Sequence, residues 1–496
     1  MQSRAARLGI GFAWDRLAPS WPLIVGLAVF GRLLAERMAL LNDPDTYLHI
    51  AAGRWILAHG ALPMHDPFSH SMPGANWISS EWLAQIILAA TYDHFAWGGV
   101  ILIAAASVAL AVSVLTHFLL RHLEPLPALI IATATAALLL PHALARPHVL
   151  ALPLLVLWAG VLLAARDAGR PPPFVALPVM VLWANLHGSF MFGLALAAFL
   201  GGEAVLHPGP GRSRRVEAYR WGAFLLAALF AALVTPYGVG GLLQPIRLIG
   251  MPALQSTFAE WLSPDFQKSP ALEMWILGVL LVGFATGTRL PLTRLALLLG
   301  LVHMTLQHAR HADLLALVGP LAVAAALGRS LAALTGPVQP SRLTRWAARL
   351  ARPSTLPAAG LALLVAMALA LPTVLRPIVR NDDAVTPGAA LAAAARLGLS
   401  GPLFNSESFG GYLIFRGVPT FIDGRIEMYG NDFLAKDYRA ERGDAVALKE
   451  LLARYHIAWT LLLPQSGAIG VMDHLAGWEQ VYADNRAVIH RRKDLP

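Results

Sequence analysis

Two carboxylates one residue apart, Asp43 and Asp45, stand just beyond the first strongly apolar segment of the chain, with Pro44 between them. Such a pair can hold a divalent cation against a phosphate, or one acid can act as base towards a hydroxyl while the other orients it. Proline disfavours helix at Asp43 and stiffens the backbone, which predicts both acids on a loop. The stretch that follows, to Trp82, gathers His49, His59, His65, His70, Asp66 and Glu81 with the indoles of Trp55, Trp77 and Trp82. Arg146 with His148, Asn185 with His187, Glu260 with Trp261, and Arg310 with His311 recur at the ends of later apolar runs. Guanidinium groups at such places suit bidentate capture of a phosphate.

What must position these side chains is a membrane. The 496 residues are 57% hydrophobic and 14% charged, against about 25% charged in soluble domains, and the mean hydropathy is +0.58. A soluble domain is excluded. Without cysteine, disulfides and thiolate metal sites are excluded too, so any metal must rest on carboxylate or imidazole. Hydropathy predicts about eleven spans: a retained first helix over 21–41, then roughly 97–119, 127–145, 149–165, 173–187, 189–206, 221–236, 270–287, 293–307, 312–328 and 357–377.

Lys and Arg set the orientation. With the N-terminus inside, the cytoplasmic loops carry seventeen basic residues, Arg4 to Arg352, while the opposite loops hold five: Arg54, Arg146, Arg247, Lys268 and Arg310. Cytoplasmic loops carry the excess. The net charge of +9 then faces anionic lipid rather than nucleic acid. Residues 336–357 are expected as a cytoplasmic linker, and an odd span count puts the tail, 378–496, outside as a small α/β domain. Residues 1–377 are then the membrane domain, with a first outer loop at 42–82. All the polar motifs fall on the outer face, where acids and arginines near a bilayer mark a pathway or a catalytic site.

This layout resembles the GT-C superfamily of membrane glycosyltransferases: Asp43 and Asp45 after the first span, a long first outer loop containing HGALPMHDPFS, about eleven spans and an outer C-terminal domain. In the tail, SFGGYLIFRGVPTFIDGR (408–425) is similar in layout to the acceptor-motif region of oligosaccharyltransferase catalytic subunits, as a Gly-Tyr turn and a strand ending in Asp-Gly. The Trp-Trp-Asp triplet of that motif is missing, with Glu407-Ser408-Phe409 in its place. The resemblance implies a donor sugar or oligosaccharide on a polyprenyl phosphate and a saccharide, lipid or protein acceptor. It makes Asp43 or Asp45 the catalytic acid. It gives the donor phosphate to Arg146, Arg310 and His311. A magnesium or manganese ion, if used, falls to Asp43, Asp45 and Glu260. Substrate contacts fall to His49, Trp55, Asp66, Glu81, Trp82, His187, Glu260, Tyr412, Asp423 and Arg425. The expected location is a bacterial-type cytoplasmic membrane.

Other readings use the same residues. A transporter of lipid-linked saccharide requires internal repeats and broken helices, and no repeat is visible. A polysaccharide polymerase or ligase leans on arginine and histidine in a late outer loop, as Arg310 and His311 offer. Asp423 and Arg425 could equally form a salt bridge within the tail. Arg32 and Glu36, four apart, read as a helix-face pair.

Overall fold

The computed structural model describes residues 18–252, 259–335 and 341–494. Arg4, Arg7 and Arg16 lie outside them. Helices α1 (Trp21–Ala35), α2 (Asp45–His59), α3 (Trp82–Leu119), α4 (Pro125–Leu139), α5 (Pro147–Asp167), α6 (Leu177–Leu186), α7 (Phe190–Leu206), α8 (Arg214–Ala232), α9 (Val239–Ile249), α10 (Pro270–Thr286), α11 (Leu292–Gln307) and α12 (Ala312–Thr335) follow in order. Then come α13 (Arg342–Leu350) and α14 (Leu356–Leu375). Each expected span falls on one of these helices. Five helical stretches among the described residues are long and apolar enough to cross a membrane: 82–119, 125–142, 147–167, 309–335 and 356–375. Their side chains are apolar all round, which suits a helix buried or facing lipid, where every backbone group must be satisfied internally.

Two expectations are corrected. Within 336–357, residues 342–350 form α13, which packs on the start of α1: Trp21 Nε1 donates to the Ala347 carbonyl (2.9 Å) and the Trp21 and Trp346 rings meet edge to face. This segment is a strap rather than a plain linker. The first part of the first outer loop is helix rather than loop, because α2 lies against the first half of α3, with Gly53 at the backbone of Gln85. At Ala96 the backbone turns to φ 48°, ψ −149° and divides α3 into an outer and an inner helix.

The tail holds α15 (Gly388–Arg396), β1 (Leu403–Asn405), α16 (Glu407–Phe415), α17 (Ile426–Tyr429), α18 (Asn431–Glu441), α19 (Ala445–Arg454), β2 (Trp459–Leu461), α20 (Ala468–Met472), β3 (Trp478–Ala483) and β4 (Val488–Arg492). Its sheet has the order β1-β2-β4-β3, with β1 and β2 parallel and the other pairs antiparallel. The stretch 408–425 is therefore not a turn and strand. Residues 407–415 are helix because Gly410 and Gly411 let α16 approach other backbone closely: a methyl group at 411 would strike the Pro44 carbonyl, and one at Gly424 would strike the Asp45 carboxylate. The tail thus rests directly on the start of α2.

At the opposite end of the bundle, Arg294 at the start of α11 pairs with Glu203 (2.9 Å) and Asp167 (2.7 Å), and Arg166 reaches Glu203 (3.0 Å). These arginines, counted among the basic residues of the cytoplasmic loops, join α5, α7 and α11.

Candidate active site

Pro147 at the first turn of α5 keeps Arg146 extended (φ −121°, ψ 162°), so its side chain leaves the helix axis and meets the first outer loop. Its Nε lies 3.1 Å from Asp43 Oδ1, its Nη2 bonds Asp45 Oδ2, and its Nη1 donates to Glu260 Oε2 at 2.9 Å. Asp43 Oδ1 also accepts the Asp45 amide (2.8 Å), which fixes the two acids relative to each other at the start of α2. The second oxygen of Glu260 accepts from Arg310 Nη1 at 3.1 Å. One carboxylate therefore bridges two guanidinium groups that come from the starts of two different helices, α5 and α12.

Arg310 is held from below. Its guanidinium lies 4.4 Å over the Trp261 ring, the Ala309 amide donates to the Leu262 carbonyl (3.0 Å), and Trp261 itself is buried in the tail core with Phe421, Ile426 and Tyr429. Burial pushes the Asp43 carboxyl up against the pull of Arg146. Burial also works to raise Glu260, but Arg146 and Arg310 outweigh it and hold that carboxyl below its ordinary range.

Beside this centre lies a second cluster. Glu81, just before α3, sits between two imidazoles: its Oε1 is 3.4 Å from His187 Nε2 and its Oε2 is 3.7 Å from His49 Nε2. His187 Nδ1 is engaged by Ser189 Oγ (2.8 Å). Burial pushes Glu81 up to about 8 and His49 down to about 3, and holds His187 well below the usual range. Burial thus favours the neutral form of all three. Trp82 Nε1 donates to Asn185 Oδ1 (2.9 Å), and these two residues close one end of an apolar cleft of about 750 Å³ lined also by Leu83, Val181 and Val234.

Several expected substrate contacts turn out to be structural. Arg425, with its side chain 3% exposed, bonds Asp423 through Nη2 (2.7 Å) and Asp66 through Nη1 (2.5 Å), and the guanidinium lies over the rings of Phe68 and Trp77. Tyr429 donates to Asp423 (2.7 Å). Asp66, Asp423 and Arg425 are therefore corrected from saccharide contacts to a buried joint between the first outer loop and the tail. Around it, Thr420 pairs with Phe68 and His70 through the backbone. Tyr412 is 7% exposed and packs edge-on against Tyr47, so it is buried in a separate contact between α16 and α2. Trp55 stacks on His59, ten residues along α2 from Asp45, which is about 15 Å away at 1.5 Å per residue. His311 turns Nδ1 to the Met304 carbonyl (3.1 Å) rather than to Arg310's anion seat.

Sequence reasoning missed Glu407 as a site residue. Glu407 begins α16, faces Arg146, Asp423, Asp43 and Glu260, and is pushed by burial up to about 7. Glu427 is raised by burial and is hydrogen-bonded by Trp77. Glu407 was visible only as the residue standing where a motif triplet was absent. The three acids expected to hold a cation are not arranged as a cage: Arg146 stands among them, and among the described residues no group of three His, Asp or Glu is placed to hold a metal.

No protein-family profile and no curated protein matches the chain. Solved structures do. The archaeal oligosaccharyltransferase AglB from Archaeoglobus fulgidus, in complex with an inhibitory peptide and a dolichol-phosphate, superposes with a TM-score of 0.52 at 13% identity, over 96% of this chain and 75% of that one. ArnT from Cupriavidus metallidurans in the apo state gives 0.48 at 14% identity over 98% of both chains. The fold is similar to that of the GT-C membrane glycosyltransferases.

Proposed function

We propose that this chain is an integral-membrane glycosyltransferase that moves a sugar or oligosaccharide from a polyprenyl-phosphate-linked donor to an acceptor on the extracytoplasmic face. The observation that carries the proposal is the anion seat formed by Arg146 and Arg310 around Glu260, with Asp43 and Asp45 against the same arginine. Two guanidiniums sharing one carboxylate offer the donor set a phosphate requires. Glu260, with 39% of its side chain exposed, is the most accessible of the three acids and the one a phosphate displaces. Asp43 and Asp45 then keep Arg146 aimed and orient the reacting sugar. The fold it shares is that of a protein bound to dolichol-phosphate.

In this reading residues 1–377 form the membrane domain of about eleven spans with the N-terminus cytoplasmic, and residues 378–496 cap it from outside in a bacterial-type cytoplasmic membrane. The polarity of the bundle supports it: α5 and α11 carry Arg146 and Arg310 at one end and the Arg166–Glu203–Arg294 network at the other.

Binding of undecaprenyl phosphate to the protein in lipid nanodiscs tests the seat. Arg310→Ala is expected to weaken it about tenfold, the loss of one charge-assisted contact of about 1.5 kcal/mol. An Arg146→Ala/Arg310→Ala double variant that binds as the wild type does defeats the proposal.

A further inference from the structure

Transfer to a hydroxyl needs a group that takes the proton, and the acids of the Arg146 centre are poorly suited to it. Asp43, Asp45 and Glu260 are each within salt-bridge reach of a guanidinium, and a carboxylate paired to a cation is a weak base. Among the described residues Glu81 forms no ion pair with Lys or Arg; its close partners are the imidazoles of His187 and His49. His49 is 8% exposed, its Nε2 points at Glu81, and its Nδ1 has no hydrogen-bond partner among the described residues. Glu81 is thus flanked by imidazoles and not by a fixed cation, and His49 keeps hydrogen-bonding capacity of its own. Glu427, Glu260 and Arg310 face Glu81 from the tail and the late outer loops, and His148 stands 6.2 Å from His187, ring to ring. The cluster is therefore next to the anion seat and separate from it.

We propose that Glu81 is the residue that accepts the proton of the acceptor hydroxyl, with His49 and His187 as the positioning groups that hold it unpaired and receive the hydroxyl. The inference rests on the glycosyltransferase reading. As the acceptor O–H bond breaks, its proton passes to the Glu81 carboxylate and the oxygen lone pair forms the bond to the anomeric carbon. The bond from that carbon to the phosphate oxygen breaks, its electron pair leaves with the polyprenyl phosphate, and Glu81 later gives the proton to water. A carboxyl lifted to about 8 by burial is a stronger base than an ordinary one, matched to work near neutral pH. Because only its ionised form accepts a proton, the rate rises with pH up to that value.

The test follows sugar release from an undecaprenyl-phosphate-linked sugar in membranes of the source cells, which hold the acceptor. Glu81→Gln is expected to lower release at least about a hundredfold and leave undecaprenyl phosphate affinity unchanged. The wild-type rate should climb about tenfold per pH unit below about pH 8, and Glu81→Asp should retain part of the rate with a displaced profile. Independently of turnover, infrared difference spectra should show a carboxylic C=O stretch that is lost with a midpoint near 8 and is absent from Glu81→Gln. A Glu81→Gln protein that turns over like the wild type, or a C=O signal unchanged by the substitution, overturns the inference alone. Wild-type protein that does not bind undecaprenyl phosphate overturns the glycosyltransferase reading first.

Discussion

Two arginines each gather carboxylates from the first outer loop and from a distant part of the chain. Arg425 binds Asp66 and Asp423, and Arg146 binds Asp43, Asp45 and Glu260 with Arg310 alongside. Both centres carry one more acid than arginine, and both lie at the border of loop and tail. Exposure separates them. The side chains of Arg425, Asp66 and Asp423 are 3%, 0% and 0% exposed, under a lid of Phe68 and Trp77. Those of Arg146, Asp45, Arg310 and Glu260 are 21%, 15%, 27% and 39% exposed. A saturated, covered ion pair can only hold things together, whereas an accessible one can exchange a carboxylate for a ligand.

The contrast is sharpest where one partner is removed. Arg425→Ala leaves two buried carboxylates without a cation and is expected to cost about 3–5 kcal/mol, read as a lower denaturation midpoint and proteolysis of the tail. Undiminished stability there makes the joint a site like the other and breaks the comparison. Asp45→Asn keeps size while removing the charge that aims Arg146, and transfer is expected to fall about a hundredfold through misplacement of the reacting groups, with the fold intact by circular dichroism. Asp43→Asn should lose both rate and some stability, because Asp43 is 4% exposed and fixes the start of α2 through the Asp45 amide. Gly411→Ala pushes α16 off the Pro44 carbonyl and is expected to cost about 1–3 kcal/mol through overpacking, measured by chemical denaturation.

The smallest effect is a difference in pH response. Burial works to raise Asp423, but Arg425 outweighs it and depresses the folded pKa. Its contribution is therefore complete above the unfolded value near about 4 and is lost as pH falls through the folded value. Glu407 is raised by burial to about 7, so its contribution is complete below about 4 and is lost as pH rises through 7. Glu407→Gln is expected to remove the decline in stability between about pH 4 and 7 and to leave the loss below about 4 unchanged.

Much of the architecture was legible because hydropathy is written locally: every apolar stretch read as a span lies on a helix. The one-sided gathering of Asp43, Arg146, His187, Glu260 and Arg310 followed from counting arginines. What was illegible is pairing at long range. Arg146 meets Asp45 across 101 residues and Glu260 across 114, and nothing in a sequence says which acid a guanidinium will choose. Asp423 and Arg425 read alike whether covered or open, because coverage depends on Phe68 and Trp77 some 350 positions earlier. The misreading of residues 408–415 had a simpler cause: a short apolar run carries no period that separates helix from strand.

The joint between Asp66 and Arg425 spans 359 positions, and that separation dictates an order of events during synthesis. The acids at 43 and 45 leave the ribosome within the first tenth of the chain, yet the partners that cover their loop, from Thr386 to Arg425, are made only after the membrane helices. Helices insert one by one while the loop waits. A chain that stops short of these residues has its Asp66 carboxylate without the Arg425 guanidinium, and the joint closes only when the C-terminal segment folds against the loop.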